Sequence, residues 1–377
     1  MDRRTLRGAR KWLFYGWILT SAVLMYLYLS SSASMPNKAG YTELANLLRF
    51  RIILFWNDQN NVYGLPWYAN DQIFGPDSEC PTAAEGGCWF TKDRRFLEIA
   101  DVIIFNIPEY NWRKEEVPKF RLPHQRWVMW THESPCYSPP PGPNWGGLEN
   151  KFNWTLTYRK DSDIFSPYGY IVKRDPPLNR DFVEVAKKKK KLVAWMSSHC
   201  PVSSKRDEYV KELQKYIPVD IYGSCGTLKC GKEKDSDCLK MISDTYKFYL
   251  SFENSISTDY VTEKFYKMVD YDVVTILRGG TDYSRLDFQK EWYISTGDFK
   301  SPKELAEHLK KLDANVEEYA KLLNWKNHYT SKKRPFDKRF CELCRRADDP
   351  KEPIKWWTRD QLVKWFWTDE CKAPTDM

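Results

Sequence analysis

The densest run of residues able to do chemistry lies between Tyr246 and Met268, YKFYLSFENSISTDYVTEKFYKM. An apolar strand, Phe248–Phe252, runs into Glu253, Asn254 and Ser255. A helix is expected to begin at Thr258 or Asp259, either of which makes a good N-cap. Free backbone N–H groups at a helix start favour phosphate, and Lys264 adds a positive charge beside them. The neighbouring Glu263 can accept hydrogen bonds from ribose hydroxyls. Such a strand–loop–helix crevice is where open α/β sheets bind ligands, so the segment reads as a nucleotide site. The same residues also fit an ordinary capped helix with an exposed ion pair.

Other chemistries have less support. The chain has no GxGxxG, no P-loop lysine motif, no HExxH and only five histidines. DxD triplets stand at Asp161–Asp163, Asp235–Asp237 and Asp270–Asp272. Such triplets can hold a divalent ion on a nucleotide diphosphate, but they are common by chance. Cys341-x-x-Cys344 could be half of a zinc site. With eight further cysteines in an oxidising compartment, disulfides are the expected use.

These residues must be positioned by elements that the rest of the sequence outlines. Short, mostly unalternated β-branched and aromatic runs read as buried parallel strands: Ile52–Trp56, Val102–Asn106, Trp127–Trp130, Leu192–Trp195, Val219–Tyr222, Phe248–Phe252 and Val273–Leu277. Amphipathic helices alternate with them, at Lys205–Tyr216 and along Leu305, Leu309, Leu312, Val316, Tyr319 and Leu323. This alternation predicts an α/β fold with parallel sheets. The five lysines 187–191 read as a solvated loop between two halves. The Trp-rich tail beyond residue 345 is expected to pack as a helix on the body.

The 377 residues suggest two domains, and 42% hydrophobic with 29% charged residues excludes a disordered chain. The net charge of +8 does not mark a nucleic-acid binder. Arg3, Arg4, Arg7, Arg10 and Lys11 against Asp2 supply half of it, and the remainder is too thin for such a footprint. Eighteen uncharged residues follow, Trp12–Leu29, enough to span a bilayer with the basic side cytoplasmic. A cleaved signal peptide is the alternative. Both place the bulk of the chain in an oxidising lumen. Asn153-Trp154-Thr155 is a candidate glycosylation sequon, or buried structure. The 16% aromatic content fits either carbohydrate-stacking surfaces or a large aromatic core.

Four stretches carry a family resemblance. FYLSFENSxxxDYVTEK at 248–264 resembles the signature of the α1,3-fucosyltransferases, inverting enzymes that use GDP-fucose. Arg126-Trp127-Val128 through Glu133-Ser134-Pro135 resembles the RWV…ESP element of the family, and NWTLTYRKDSDIFSPYG at 153–169 is similar to its consensus. VAWMSSHCPVSSKR at 193–206 resembles the strand–loop–helix that meets the diphosphate. The resemblance extends over roughly residues 50–370. It implies two Rossmann-like domains facing a cleft (GT-B type), preceded by one transmembrane helix, in a Golgi type II membrane protein with a lumenal catalytic part.

By position, the resemblance makes Glu133 the general base that deprotonates the acceptor hydroxyl as it attacks fucose C1. It makes Lys264 and Arg206 the phosphate contacts, with Ser198 in the same loop. Glu263 corresponds to the ribose-binding carboxylate, and Asn254 and Tyr260 to other donor contacts. Tyr249 and Tyr158 correspond to tyrosines near the nucleotide. No metal is required, a divalent cation being at most stimulatory, and Asp161–Asp163 and His132 read as structural. Where antennal, Lewis-type members often carry His-His, Ile107-Pro108-Glu109-Tyr110 stands here. Cys200, Cys225, Cys230 and Cys238 resemble core-fucosylating and invertebrate members. The family's framework ties Cys80 and Cys88 to Cys341 and Cys344 and leaves the middle four to pair among themselves. Cys136 and Cys371 remain, as a pair or as free thiols.

The expected organisation is a cytoplasmic tail at 1–11, a membrane anchor at 12–30 and a stalk at 31–50. An acceptor domain at 51–185, a GDP-fucose-binding domain at 186–345 and a helical tail at 346–377 follow. The expected activity is inverting α1,3-fucosylation of a GlcNAc on glycoprotein N-glycans, the core GlcNAc first. An antennal acceptor or an inactive glycan-binding protein are the alternatives. The partners are then GDP-fucose, an N-glycan and, through the anchor, a membrane.

Overall fold

The computed structural model describes residues 51–57, 72–74, 87–108, 117–138, 140, 145, 147–230, 235–332 and 340–376. The tail, anchor and stalk at 1–50 lie outside the described residues, as does Cys80. Among the described residues, no helix is long and apolar enough to cross a membrane.

Two parallel sheets organise the chain. The first runs β2 (Gln72–Phe74), β3 (Cys88–Thr91), β1 (Arg51–Phe55), β4 (Val102–Asn106), β5 (Arg126–Thr131), β6 (Trp154–Thr157) and β7 (Ile164–Phe165) in spatial order. Only β2 is antiparallel to its neighbour. The second runs β10 (Val219–Tyr222), β9 (Lys191–Met196), β11 (Tyr246–Phe252), β12 (Val274–Arg278) and β13 (Ile294–Ser295), all parallel. A small antiparallel pair, β8 (Tyr170–Lys173) and β14 (Tyr329–Lys332), joins distant segments. All seven expected strands form, within two residues of their expected ends.

Both sheets are buried on both faces, which is why their strands read as continuous apolar runs rather than alternating ones. Side chains still alternate in space. In the first sheet Ile53, Ile104, Val128 and Trp130 face one cluster, completed by Phe340, Leu343 and Cys344 from the helix Cys341–Asp348. Ile52, Leu54, Ile103, Phe105 and Trp127 face the other, closed by Leu362, Phe366 and Trp367. Residues 340–367 thus return to cover the first sheet from both sides. The tail is not one helix but a short α-helical turn, Arg359–Leu362, leading into a π-type turn, Val363–Trp367. The expected amphipathic stripe at 305–323 forms two helices, Pro302–Asp313 and Val316–Lys321. The second is capped by Asn315, whose side chain accepts the Glu318 N–H.

Disulfides fasten these layers. Cys88 pairs with Cys344, Cys200 with Cys225, Cys230 with Cys238, and Cys136 with Cys371. Cys341 is also disulfide-bonded. These bonds remove the half-zinc-site alternative for Cys341-x-x-Cys344.

The sequon is structural. Asn153 is fully buried, its Oδ1 accepts the Trp127 N–H at 2.9 Å and its Nδ2 donates to the Lys355 carbonyl at 2.7 Å. The amide nitrogen that a glycan would occupy is committed to the fold, so the glycosylation expectation for Asn153 is corrected. Asp161 and Asp163 are committed as well. Asp161 pairs with Arg159, and Asp163 accepts from the Thr155 N–H and from Trp357 Nε1.

Candidate active site

Three loops meet where the parallel strands end. β5 leads into His132, Glu133 and Ser134, β9 into Ser197 and Ser198, and β11 into Glu253, Asn254 and Ser255. The first loop belongs to one sheet and the other two to the other sheet. Ser134 Oγ and Ser255 Oγ lie 2.5 Å apart across the join. A cleft of about 490 Å³ opens there. Six of the expected residues line it: Glu133, Ser198, Arg206, Asn254, Glu263 and Lys264.

Glu133 stands where the two sheets face each other. Its Oε2 accepts from the Tyr260 hydroxyl at 3.4 Å. Burial pushes its pKa above the usual carboxylate value, while the Lys264 charge and the Tyr260 hydroxyl pull part of the way back. A carboxylate with a raised pKa is a stronger proton acceptor. The Glu133 loop is held from behind: Trp367 Nε1 donates to the Ser138 carbonyl, and Cys136 is bonded to Cys371. His132 is buried, with Nε2 3.0 Å from Ser166 Oγ, and is structural as expected.

Arg206 opens the helix Arg206–Leu213 and is buried. It donates to the carbonyls of Phe252 (2.8 Å) and His199 (3.0 Å) and to Ser197 Oγ (2.9 Å). Its Nε is buried without a hydrogen-bond partner among the described residues. Burial lowers its pKa, but a guanidinium stays charged. A desolvated cation with an orphaned donor in a cleft wall is suited to an oxyanion. Gly223 lets the β10 turn approach this loop: at φ +94°, a Cβ there would lie 2.5 Å from the Ser197 carbonyl oxygen. The Cys200–Cys225 bond staples the same two loops.

Lys264 is organised by a residue that sequence reasoning passed over. Glu253 is 3% exposed, and its carboxylate accepts from the Thr262 N–H (2.8 Å), the Thr262 hydroxyl and Lys264 Nζ (3.0 Å). Burial disfavours the Lys264 charge, yet Glu253 and Glu263 raise its pKa on balance. Burial likewise disfavours the Glu263 carboxylate, but Lys264 brings its pKa below the usual value. The signal for Glu253 was its place directly after a buried strand. Its partner Thr262 depends on a turn that the sequence does not display.

That turn corrects one expectation. The helix starts at Glu263, not near Thr258 or Asp259, and has only four residues. Asp259 sits in the left-handed region at φ 59° and accepts from the Lys160 N–H and from Arg285. Thr258 Oγ1 accepts from Lys372 Nζ. Thr258 is thus claimed by Lys372, and the left-handed backbone at Asp259 is not the extended one of a helix cap. So short a helix has little dipole, and the positive potential comes from Lys264 and Arg206 themselves.

Two expected donor contacts are placed elsewhere. Tyr249 is buried in a cluster with Tyr222, Tyr246 and Ile242, because strand alternation turns it away from Phe248 and Leu250. Tyr158 is buried behind the cleft. Its ring lies 4.8 Å from that of Tyr260, and its hydroxyl 3.4 Å from Ser257 Oγ. Tyr260 itself is 2% exposed and reaches the site only through its hydroxyl on Glu133.

Comparison with known proteins identifies the family. The model of the fucosyltransferase N-terminal part matches residues 49–169, and that of the C-terminal part of glycosyltransferase family 10 (fucosyltransferase) matches 186–365. An α-(1,3)-fucosyltransferase C of Drosophila melanogaster is 33% identical over 349 residues, covering 85% of this chain and 79% of its own. The chain belongs to glycosyltransferase family 10. As a member, this glycosyltransferase is an α1,3-fucosyltransferase. A Rattus norvegicus relative, 4-galactosyl-N-acetylglucosaminide 3-α-L-fucosyltransferase 9, is 34% identical, covering 74% of this chain and 75% of its own. A crystallised α1,3-fucosyltransferase with GDP-fucose superposes at a TM-score of 0.50, with 15% identity, covering 80% of this chain and 91% of that one. That likeness establishes the GT-B-like fold of the family 10 enzyme.

Proposed function

We propose that this α1,3-fucosyltransferase moves L-fucose from GDP-β-L-fucose, with inversion, to O3 of a GlcNAc residue on glycoprotein N-glycans. The observation that carries the reading is one cleft lined by a buried carboxylate, Glu133, and by two cations, Arg206 and Lys264. In a single displacement the acceptor O3–H gives its proton to the Glu133 carboxylate while O3 bonds to fucose C1. The C1–O bond to the diphosphate breaks, and its electron pair leaves with GDP. Arg206 and Lys264 neutralise the charge that gathers on the departing phosphate. Glu263, in the cleft lining beside Lys264, accepts the ribose hydroxyls in this reading. A solved fold relative bound to GDP-fucose supports the donor.

The core GlcNAc is the first acceptor proposed, on the cysteine pattern Cys200, Cys225, Cys230 and Cys238. The printed acceptor of the rat relative, a 4-galactosyl-N-acetylglucosaminide, favours an antennal GlcNAc as the second reading. The basic leader and the apolar stretch 12–29 support a type II Golgi membrane protein with a lumenal catalytic part. The test is a secreted form from residue 40 onward, given GDP-fucose and defined N-glycans with and without EDTA. Transfer to core-exposed glycans with EDTA present is expected. Transfer only to galactosylated antennae selects the second reading, and hydrolysis or transfer with retention overturns the mechanism.

A further inference from the structure

Three consecutive residues of the loop after β5 are each met by a side chain from outside that loop. The Tyr168 hydroxyl donates to the His132 carbonyl. The Tyr260 hydroxyl donates to Glu133 Oε2 at 3.4 Å. Ser134 Oγ lies 2.5 Å from Ser255 Oγ, and both serines are fully buried. Ser255 itself donates to Asn254 Oδ1 at 3.2 Å, which leaves the Ser134 hydroxyl as the donor between the two serines. Ser255 and Tyr260 both follow β11, in the half that carries Asn254 and Lys264 of the cleft wall.

The loop's own contacts fix its backbone and leave the carboxylate to others. Thr131 Oγ1 accepts from the Glu133 N–H and donates to the Glu133 carbonyl, both at 3.1 Å. Among the described residues, the carboxylate accepts a hydrogen bond from Tyr260 alone. A glutamate side chain is rich in rotamers, so a single fixed donor decides where its oxygens point. Tyr260 is such a donor. Its ring is 2% exposed and packs in the core of the first sheet, 4.8 Å from the ring of Tyr158 and 6.2 Å from that of Tyr168. Tyr168 in turn lies 5.3 Å from the His132 ring. A residue of the second half thus reaches into the first half's core and holds the base from there. Transfer needs the base, the acceptor hydroxyl and fucose C1 aligned, and a base tied to the half carrying Lys264 keeps that register.

We propose that Tyr260 and Ser255 are positioning residues, through which the half that carries Lys264 sets where the Glu133 carboxylate of the other half points. The inference rests on the proposed role of Glu133 as general base. The test compares the full-length wild type with Tyr260→Phe, Ser134→Ala, Ser255→Ala and the double serine variant, with thermal midpoints to confirm folding. Tyr260→Phe and Ser134→Ala should each lower kcat about tenfold, as a misaligned base does, and leave GDP affinity by calorimetry and the KM for GDP-fucose unchanged. Adding Ser134→Ala to Ser255→Ala should cost nothing further, because both remove one bond. The pH profile separates positioning from loss of structure. Lys264, Glu253, Glu263 and the phenols of Tyr168 and Tyr260 face Glu133, and Arg206 lines the same cleft. Only the Tyr260 hydroxyl is altered in Tyr260→Phe. That hydroxyl stabilises the charged carboxylate, so its loss raises the Glu133 pKa and moves the acid limb of kcat to higher pH. Ser134→Ala should lower kcat with the limb in place. A raised KM for GDP-fucose with an unmoved limb makes Tyr260 a donor contact and overturns the proposal, as does full kcat in both single variants. If the wild type transfers no fucose, the proposed activity fails. NMR of protein carrying carboxyl-labelled glutamate, with Glu133→Gln to assign the signal, then still reads the Glu133 titration, and an unmoved titration in Tyr260→Phe overturns the positioning role.

Discussion

Lys264 has two roles that one experiment can separate. It faces the cleft, and it is the cation that balances the buried carboxylate of Glu253 at 3.0 Å. Lys264→Met removes the charge and keeps the length. Glu253 would then be left 3% exposed with only the Thr262 N–H and hydroxyl as donors. Breaking a buried pair from one side costs about 3–5 kcal/mol. Part of Lys264 is open to the cleft, so the lower end, about 3 kcal/mol, is the working figure. For a folded body of this size that is a fall of about 4 °C in thermal midpoint. Adding Glu253→Gln to Lys264→Met removes the stranded charge and should return most of the midpoint. Transfer should stay lost in the double variant, because the phosphate has still lost its cation. Calorimetry and initial-rate assays on the four proteins of the cycle read both roles. Recovery of transfer in the double variant would refute the assignment of Lys264 to the leaving group. A midpoint change under about 1 °C in Lys264→Met would refute the buried-pair argument.

Glu133→Gln should lower kcat by about a hundredfold or more while GDP binding by calorimetry stays unchanged, as expected for loss of a general base. Because burial raises the Glu133 pKa, the wild-type rate should fall with decreasing pH above the ordinary carboxylate range as the base becomes protonated. A limb at or below that range contradicts the assignment. The double variant Cys136→Ser/Cys371→Ser removes a bond closing 235 residues, worth roughly 5 kcal/mol in the chain-entropy picture, and frees the Glu133 loop. Both a lower midpoint and a lower kcat are expected. Peptide N-glycosidase should not shift the secreted protein on a gel, because Asn153 Nδ2 is hydrogen-bonded inside the fold.

Much of this was legible in the sequence because parallel strands buried on both faces announce themselves as apolar runs. Val102–Asn106 and Val219–Tyr222 form as read. β6, WTLT, was not read as a strand, since its two threonines break the apolar pattern and bond to Asp163 and Ser162 instead. Glu133, Arg206 and Lys264 were legible through the family resemblance, and they converge on one cleft. The helix start was not. Thr258 and Asp259 have good capping side chains, but long-range partners 114 and 26 residues away claim them. Tyr249 shows the limit of adjacency. It lies inside the signature, yet strand alternation decides which way it points, and the sequence does not say which face meets the cleft.

The late residues of the chain have a consequence for how it is made. Cys344 and Cys371 close bonds begun 256 and 235 residues earlier, and Asp376 forks onto the buried Arg278 at 2.7 Å. A ribosome releases these partners only after most of both sheets has emerged. Cys88 and Cys136 must therefore wait as thiols through most of synthesis, close to Cys200, Cys225, Cys230 and Cys238, whose partners are near in sequence. Local pairing is the faster event for a nascent chain. Productive maturation then depends on oxidoreductases that undo premature bonds, and isomerase capacity becomes a determinant of how much active enzyme is obtained.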